Sequence, residues 1–370
     1  MMTTNTLYKL ALAGVQQLVP YQAGKPISEL ERELGISHII KLASNENPLG
    51  PSKKALAAIT QALPELALYP DGSGFALKQA LANKYALTPE HITLGNGSNE
   101  ILELVARAFL APGLEAVFSQ HAFAVYPLVT QAAGATGVVV PALNYGHDLT
   151  AMLQAITPQT RVVFVANPNN PTGTLLSQAQ LREFIAALPD TVVCVLDEAY
   201  FEFVGATDPI NSIDWLAEFP QLLITRTFSK AYGLAGLRVG YGMSSPALTD
   251  LLNRVRQPFN NNSLALVAAE AALADFEHLQ QTVAVNTNGM QQLTEGFKAL
   301  GLEWIPSAGN FVAVDMQRPG QPLYEALLHK GVIVRPVGVY QLPNHLRISI
   351  GTEAENQQFL RALTEVLAHV

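Results

Sequence analysis

The sequence predicts an α/β protein with a mainly parallel sheet in a large domain and a smaller α/β domain beside it. Strand-like and helix-like patterns alternate along the chain, which is the order that a parallel sheet covered by helices requires. Several strand-like runs are apolar throughout, as in Val192–Leu196, and such runs are typical of strands that are buried on both faces. The 370 residues exceed what one small core accommodates, so we expect two packed units.

The patterns also predict where the two units divide. We expect an N-terminal arm with part of the small domain in residues 1–40, and a large domain in residues 41–275. The small C-terminal domain is expected in residues 276–370, where strand-like and helix-like segments alternate again. The small domain is therefore predicted to contain both ends of the chain.

The composition argues against several classes of function. The net charge is -8, from 22 Lys+Arg against 30 Asp+Glu, which disfavours nucleic acid or an anionic membrane as the main partner. The single cysteine, Cys194, rules out an internal disulfide framework and is typical of core packing. We find no signal-peptide pattern, spanning segment or metal-spaced Cys/His cluster, and we expect a cytoplasmic protein without a metal. Hydrophobic residues at 49% and charged residues at 14% indicate extensive burial, including that of a homodimer interface.

The stretch that follows the apolar run Leu222–Thr225 carries the groups that a reactive carbonyl compound requires. Lys230 emerges just beyond this predicted strand, where open α/β sheets keep their ligands. A lysine amine forms an imine with a carbonyl when its pKa is low enough to leave some of it neutral. The hydroxyls of Thr227 and Ser229 and the guanidinium of Arg238 offer donors to a phosphate. The alternative is a solvated surface lysine, which is the commoner state of an isolated lysine.

The ends of further predicted strands indicate a phosphate-binding turn and a buried carboxylic acid. The strand-like Ile92–Gly95 leads through a glycine-containing turn to a helix near Ser98, so unpaired backbone N–H groups face any anion there. A plain tight turn is the alternative for that segment. Asp197 follows the apolar strand Val192–Leu196 and requires a positive partner if it is buried, although it is also suited to cap the next segment. Asn167 ends the strand Arg161–Ala166 and can donate to a phenolate oxygen.

Two long motifs together resemble those of a known enzyme family. The stretch from Thr227 to Arg238 reads Thr-Phe-Ser-Lys-Ala-Tyr-Gly-Leu-Ala-Gly-Leu-Arg, and the stretch from Asn167 to Gly173 reads Asn-Pro-Asn-Asn-Pro-Thr-Gly. Both are similar to motifs of the pyridoxal-phosphate-dependent aminotransferases, in the branch that contains histidinol-phosphate aminotransferase. The resemblance extends from about Leu18 to the carboxyl terminus. It implies the fold-type I architecture, pyridoxal 5'-phosphate as the cofactor and a homodimer.

The resemblance implies a role at the cofactor for each matching residue. Lys230 would hold the cofactor as an imine and then move the proton of the substrate's Cα, while Asp197 keeps the ring nitrogen protonated. Asn167 and Tyr200 would bind the 3' oxygen, and Phe123 would stack on the ring. Residues expected at the phosphate are Ser98, Asn99, Thr227, Ser229 and Arg238, with Tyr69 reaching the cofactor of the neighbouring subunit.

The resemblance also implies substrate contacts, each with a simpler alternative. Arg347 would bind an amino-acid carboxylate, although an arginine in a strand also forms ordinary salt bridges. Arg335 and the hydroxyl of Tyr21 would face the distal phosphate of the substrate, although a tyrosine in a surface helix region is often only amphipathic. Asn45 and Glu46 lie in the segment Asn-Glu-Asn-Pro, which sits near the substrate end of the site in this family but otherwise simply connects elements.

The implied reaction is transamination between histidinol phosphate and 2-oxoglutarate, giving imidazole-acetol phosphate and glutamate, a step of histidine biosynthesis. An aromatic amino-acid aminotransferase and a threonine-phosphate decarboxylase, a lyase, would use similar cofactor residues and remain alternatives. A pyridoxal-dependent transcription regulator would need a DNA-binding domain, and no basic segment precedes the enzyme-like region.

Overall fold

The computed structural model describes residues 6–21, 24–205 and 211–369. Within the predicted arm of residues 1–40, residues 1–5, 22 and 23 lie outside this description. The strands are β1 Ile40–Lys41, β2 Ile92–Gly95, β3 Glu115–Ser119, β4 Thr136–Val140, β5 Thr160–Ala166, β6 Val193–Asp197, β7 Leu222–Thr227, β8 Gly240–Ser244, β9 Glu303–Ile305, β10 Phe311–Asp315, β11 Val332–Ile333, β12 Arg335–Pro336 and β13 His345–Ser349.

Helices occupy most of the segments between these strands. They are α1 Thr6–Leu10, α2 Ala13–Gln16, α3 Ile27–Leu34, α4 Lys53–Ala62, α5 Phe75–Tyr85, α6 Ser98–Phe109, α7 Val125–Ala132, α8 Leu149–Gln154, α9 Gln178–Ala187, α10 Pro246–Val255, α11 Ser263–Leu273, α12 Phe276–Ala299, α13 Gly320–His329 and α14 Glu353–His369. None of these helices, within the described ranges, is both long and apolar enough to cross a lipid bilayer.

A seven-stranded sheet forms the larger part of the molecule. Its order is β2-β8-β7-β6-β5-β3-β4, and β8 runs antiparallel to both of its neighbours while β7, β6, β5, β3 and β4 pair in parallel. The sheet is therefore mainly parallel, which confirms the predicted fold class. The apolar runs predicted as buried strands are β5, β6 and β7.

Alternate residues of the central strands face two separate cores, one on each side of the sheet. Val163 and Val165 of β5 belong to the core that includes residues of α5, α9 and α11. Val162 and Phe164 belong to the core that includes residues of α6, α7 and α10. Because side chains alternate along a strand, an apolar run has both of its faces buried, as in a helix-covered parallel sheet.

The smaller part contains an antiparallel sheet of order β12-β13-β10-β9 and a parallel pair formed by β1 and β11. Its core brings Ile40 and Leu42 together with Phe297 of α12 and Phe359 of α14. Residues from both ends of the chain thus share one core. The domain boundaries at residues 40 and 275 stay a prediction.

The carboxyl ends of β5, β6 and β7 meet at one edge of the large sheet. Ala166 pairs with Asp197, and Asp197 pairs with Thr225, so the polar residues that follow these strands emerge side by side. This edge is where ligands bind in open α/β sheets.

Candidate active site

One cavity at this edge is lined by every predicted site residue except Asn167 and Tyr69. The predicted residues that line it are Tyr21, Asn45, Glu46, Ser98, Asn99, Phe123, Asp197, Tyr200, Thr227, Ser229, Lys230, Arg238, Arg335 and Arg347. They come from both sheets and from the loops between them. The fold therefore brings together groups that are separated by more than 300 residues of sequence.

Lys230 lies three residues beyond β7 and points its amine into the cavity. Its Nζ donates a hydrogen bond to the carbonyl oxygen of Ser44 at 3.0 Å and lies 5.8 Å from the ring centre of Tyr200. Burial, and then the charge of Arg347, lower the pKa of Lys230 to about 7, while Glu46 opposes this shift. A large share of the amine is therefore neutral near pH 7 and able to act as a nucleophile or base.

Asp197 ends β6 with a buried carboxylate that lines the cavity. Its Oδ2 accepts from the hydroxyl of Tyr126 at 2.8 Å, and its Oδ1 accepts from the hydroxyl of Thr225 at 3.1 Å and the N–H of Ala199 at 3.2 Å. Burial raises the pKa of Asp197, and the hydrogen bonds from Tyr126, Thr225 and Ala199 pull that pKa back down. Such a carboxylate gains from a positive partner in the cavity.

The turn between β2 and α6 forms a cradle for an anion. Gly97 has a φ of 75°, and no side chain caps the start of α6 at Ser98, so the first N–H groups of the helix stay available. Across the turn, Arg238 Nη1 donates to Ser229 Oγ at 3.1 Å, and Thr227 Oγ1 donates to the same oxygen at 3.0 Å. A Cβ atom at Gly97 would collide with the Arg238 guanidinium, so the close approach of loop and arginine depends on glycine.

Tyr200 reaches the cavity from the segment after β6 and is held by Asn45. The Asn45 amide nitrogen donates to the Tyr200 hydroxyl at 2.9 Å, and Asn45 itself is fixed by hydrogen bonds with Ser349. Burial raises the pKa of Tyr200 to about 12, so its hydroxyl keeps its proton and acts as a donor near pH 7. Phe123 lies across the cavity, with its ring edge-on to Tyr126 at 5.9 Å.

Arg347 in β13 supplies a buried positive charge at the end of the cavity nearest the small sheet. It donates to Asn170 Oδ1 and to the carbonyl oxygen of Ala43, the latter at 2.7 Å, but its buried Nε has no partner. Within the described ranges no carboxylate forms an ion pair with it. A buried arginine with an unused N–H is suited to an anionic ligand. Arg335 lies beside it, with its guanidinium 5.7 Å from the ring centre of Tyr21.

Comparison with known proteins decides the family. The sequence pattern described as "Aminotransferase class I and II" matches residues 37–363. The chain belongs to this aminotransferase family. The resemblance drawn from the Lys230 and Asn170 motifs is thereby confirmed.

Curated relatives and a solved structure show which members of the family this aminotransferase resembles. It is 62% identical over 361 residues to histidinol-phosphate aminotransferase 2 of Pseudomonas fluorescens, covering 97% of this chain and 98% of the relative. It is 58% identical over 363 residues to histidinol-phosphate aminotransferase of Methylobacillus flagellatus, covering 98% of each. The crystal structure of histidinol-phosphate aminotransferase from Sinorhizobium meliloti in complex with pyridoxal-5'-phosphate superimposes with a TM-score of 0.91 at 32% identity, covering 100% of this chain and 99% of the other.

The structure does not bring Asn167, a predicted cofactor contact, to the cavity of this aminotransferase. The Asn167 side chain turns away from the cavity, because its Oδ1 accepts from Leu176 N at 2.8 Å and its Nδ2 donates to Leu176 O at 3.2 Å. Asn170, three residues later in the same motif, lines the cavity instead. The motif contains two Asn-Pro pairs, and the sequence alone favoured the one at the strand end.

Tyr69 does not reach the cavity of its own chain. Its ring is 83% exposed and stacks on Phe259 with 4.8 Å between ring centres. Its predicted role in a neighbouring subunit requires only that it be available at the surface, and that role stays a prediction. Tyr126 is the contact that the sequence analysis missed, since a tyrosine at a helix start is usually core packing. The feature that could have indicated this contact is the Tyr126 hydroxyl, because a buried tyrosine needs a hydrogen-bond partner for its hydroxyl.

The cavity of this aminotransferase fits pyridoxal phosphate, the cofactor expected from the sequence. An amine with a lowered pKa, a buried carboxylate and a cradle of phosphate donors are the three groups that this cofactor's aldehyde, ring nitrogen and phosphate require. The cradle depends on the missing Cβ of Gly97, and the carboxylate of Asp197 is desolvated without a positive partner among its hydrogen-bond donors. The donor set therefore matches the cofactor's chemistry at each of these positions.

Proposed function

We propose that this chain is a pyridoxal-phosphate-dependent histidinol-phosphate aminotransferase. The observation that carries the proposal is the cavity itself, which joins Lys230, Asp197 and the phosphate cradle to the two arginines Arg335 and Arg347. The likeness over nearly the full chain to relatives with that activity supports the same choice of substrate.

Five groups of residues would hold the cofactor. Lys230 would bind the aldehyde carbon, Asp197 would pair with the ring nitrogen, and Phe123 would stack on the ring. When bound, pyridoxal phosphate supplies an aldehyde and an electron-accepting ring that stabilises negative charge on the substrate's Cα. Tyr200 and Asn170 would donate to the 3' oxygen. The remaining donors would bind the phosphate, and they are Ser98, Asn99, Thr227, Ser229 and Arg238.

Lys230 is also the base of the reaction. When the amine is free, its Nζ would accept the proton from the substrate's Cα and later return it. The lowered pKa near 7 supports this role, because an amine of ordinary pKa would be protonated at neutral pH. The hydrogen bond to Ser44 O supports a fixed direction for the amine.

Arg347 and Arg335 provide for the two different substrates. Glutamate and 2-oxoglutarate carry a carboxylate next to the reacting carbon, which suits the buried Arg347. Histidinol phosphate has no carboxylate but carries a phosphate, which suits Arg335 and the hydroxyl of Tyr21 at the mouth of the cavity. Neighbouring positive charges allow the same cavity to take either anion.

The test compares three amino donors with 2-oxoglutarate as acceptor: histidinol phosphate, phenylalanine and threonine phosphate. We expect kcat/KM to be highest for histidinol phosphate, measured as glutamate formed. Faster transfer from phenylalanine would identify an aromatic amino-acid aminotransferase instead. Carbon dioxide release from threonine phosphate, without glutamate formation, would identify a decarboxylase.

We further propose that the enzyme is a homodimer in which Tyr69 contacts the cofactor phosphate of the neighbouring subunit. The support is a set of exposed apolar residues. Leu66, Leu68 and Phe75 are close to Tyr69 in sequence, and the Tyr69 ring stacks on exposed Phe259. Exposed apolar residues in such number are typical of an interaction surface. The exposed phenol of Tyr69 suits a phosphate oxygen on the other subunit.

A complementation experiment tests this arrangement. Chains with Lys230→Ala and chains with Tyr69→Ala are co-expressed in equal amounts, and the random mixture of all dimers is purified without separating them. If Tyr69 acts across the interface, half of the dimers carry one intact site, and the mixture regains about a quarter of wild-type activity. Activity no higher than the sum of the separate variants would contradict this role. Sedimentation analysis of the wild-type chain checks the dimer independently.

A further inference from the structure

The hydroxyl of Tyr126 occupies a position at Asp197 that no other described side chain fills. It donates to Oδ2 at 2.8 Å, whereas Thr225 and the Ala199 N–H both bind Oδ1. The tyrosine is fully buried, and its ring stacks on Phe164 with 4.7 Å between centres and 5° between planes. The packing fixes the direction of the phenol.

The surroundings of Oδ2 make this single hydrogen bond important. Among the described residues, the Tyr126 hydroxyl is the only group that donates a hydrogen bond to Oδ2. The rings that pack around Tyr126, those of Phe164 and Phe123, offer no replacement donor. Without the phenol, one oxygen of a buried carboxylate would have no hydrogen bond from the described residues. An ionised carboxylate in that state gains strongly from taking up a proton.

We propose that Tyr126 is a positioning residue that keeps Asp197 ionised and aimed at the cofactor ring, so that the proton between them stays on the ring nitrogen. The inference rests on the proposed function, and specifically on Asp197 facing that nitrogen. The proton is shared by the nitrogen and a carboxylate oxygen, and it resides on the weaker acid of the pair. By stabilising the carboxylate, a hydrogen bond to Oδ2 makes the carboxylic acid the stronger acid and leaves the proton on nitrogen.

The same argument explains why a tyrosine is suited to this position. Burial raises the pKa of the Tyr126 phenol well above its ordinary value, so the group keeps its proton at any working pH. It is therefore a permanent donor to Oδ2, and it never adds a negative charge beside Asp197. A phenylalanine would preserve the packing on Phe164 and remove only the donor.

The experiment compares Tyr126→Phe with a matched control, Tyr241→Phe. Tyr241 is equally buried and also loses one hydrogen bond, to the Tyr85 hydroxyl at 2.7 Å, but it lines no part of the cavity. Asp197→Asn serves as the reference for a lost carboxylate. Each protein is loaded with pyridoxal phosphate labelled with ¹⁵N in the ring, and the ¹⁵N chemical shift is recorded as a function of pH. Cofactor affinity is measured separately by fluorescence titration of the cofactor-free proteins.

In Tyr126→Phe we expect the ¹⁵N signal to move toward the value of the unprotonated ring, in the same direction as in Asp197→Asn but less far. Cofactor affinity should fall about tenfold, the size typical of a lost hydrogen bond to a charged group. Tyr241→Phe should keep the wild-type ¹⁵N shift and affinity. If Tyr126→Phe does not fold, 3-fluorotyrosine in place of Tyr126, a stronger donor of nearly equal size, should move the signal toward the protonated ring.

The outcomes separate this inference from the proposed function. A ¹⁵N shift in Tyr126→Phe identical to wild type, with a changed shift in Asp197→Asn, would overturn the role of Tyr126 alone. An unchanged shift in Asp197→Asn would overturn the placement of Asp197 at the ring nitrogen, on which the inference rests. An equal change of the ¹⁵N shift in Tyr241→Phe would show that the effect of Tyr126→Phe comes from a general loss of packing and not from the hydrogen bond to Asp197.

Discussion

Arg335 and Arg347 lie directly opposite each other on the neighbouring antiparallel strands β12 and β13. Like charges at opposed positions destabilise a sheet, so the pair is costly unless an anion lies near both. The only acidic side chains among the described residues that line the cavity are Asp197 and Glu46, and Glu46 is paired with Lys41 at 2.9 Å. Arg347, which forms no ion pair among the described residues, therefore gives the cavity a positive charge that suits the anionic substrates of the proposed function.

Replacing Arg335 and Arg347 separately should slow different half-reactions. We expect Arg347→Gln to lower kcat/KM for glutamate by about 10- to 100-fold, since a hydrogen-bonded charge is lost at the carboxylate. Arg335→Gln should lower kcat/KM for histidinol phosphate by a similar factor and leave glutamate less affected. Single-turnover absorbance changes with each substrate measure the half-reactions separately.

Each arginine variant is the control for the other. Equal losses for both substrates in both variants would indicate a general loss of positive charge and contradict the division of roles. Substitution with lysine at position 347 should restore little, because one ammonium cannot keep the bonds to Asn170 and Ala43 and also bind a carboxylate.

The two asparagines of the Asn-Pro motif should have different effects when replaced by alanine. Asn170→Ala should weaken cofactor binding and lower kcat, because Asn170 lines the cavity and positions Arg347. Asn167→Ala should lower the free energy of unfolding by about 1–3 kcal/mol, because the partly buried backbone N–H and C=O of Leu176 lose their partners. Cofactor titration and chemical denaturation of both variants separate the two effects. A larger loss of cofactor affinity in Asn167→Ala would reverse the assignment.

Much of the site was predictable because the chemistry follows strand ends. Asp197 comes directly after an apolar run and Lys230 comes a few residues after another, and the sequence order of such runs indicates neighbouring parallel strands. The choice between Asn167 and Asn170 was not predictable, since it depends on which amide Leu176 satisfies within the folded turn. Sequence spacing carries no information about that hydrogen bond.

Contacts between distant segments could not be predicted from the sequence either. The bond from Tyr126 to Asp197 joins residues 71 positions apart, and the opposition of Arg335 and Arg347 depends on the register of a two-residue strand. Such pairings are set by tertiary packing, which local patterns do not encode. Buried polar groups nevertheless indicated that a partner was needed, as with Asp197.

Gly97→Ala should damage the phosphate cradle, whereas Gly236→Ala should not. Gly97 has a φ of 75° and an added Cβ would collide with Arg238, while an added Cβ at Gly236 would meet nothing within 4 Å. We expect Gly97→Ala to weaken cofactor binding by about tenfold or more, because the Arg238 guanidinium is displaced from Ser229. Cofactor affinity of Gly236→Ala should equal that of the wild type. Equal cofactor affinities of Gly97→Ala and Gly236→Ala would show that the turn at Gly97 does not bind the cofactor phosphate.

The lowered pKa of Lys230 should be visible in the stability of the cofactor-free protein. The folded-state pKa is about 7, against an ordinary value of 10.5. Between these values the unfolded chain binds more protons than the folded chain at this position, so the Lys230 contribution becomes more favourable as pH rises. Below pH 7 the amine is charged in the folded and the unfolded chain, so the full free-energy cost of burying the charge applies. Above pH 10.5 the amine is neutral in both states, and this cost is absent.

Lys230→Met removes this titration while keeping a long side chain. We therefore expect the melting temperature of Lys230→Met without cofactor to exceed that of the wild type most clearly below pH 7, with the difference shrinking as pH approaches 10.5. Thermal unfolding of both proteins across this range measures it. Lys9→Met, which changes an exposed lysine, controls for the general effect of losing one positive charge. A difference between Lys230→Met and the wild type that stays constant with pH would mean that the Lys230 amine keeps an ordinary pKa, and Lys230 would then lack the neutral amine that the proposed reaction requires at pH 7.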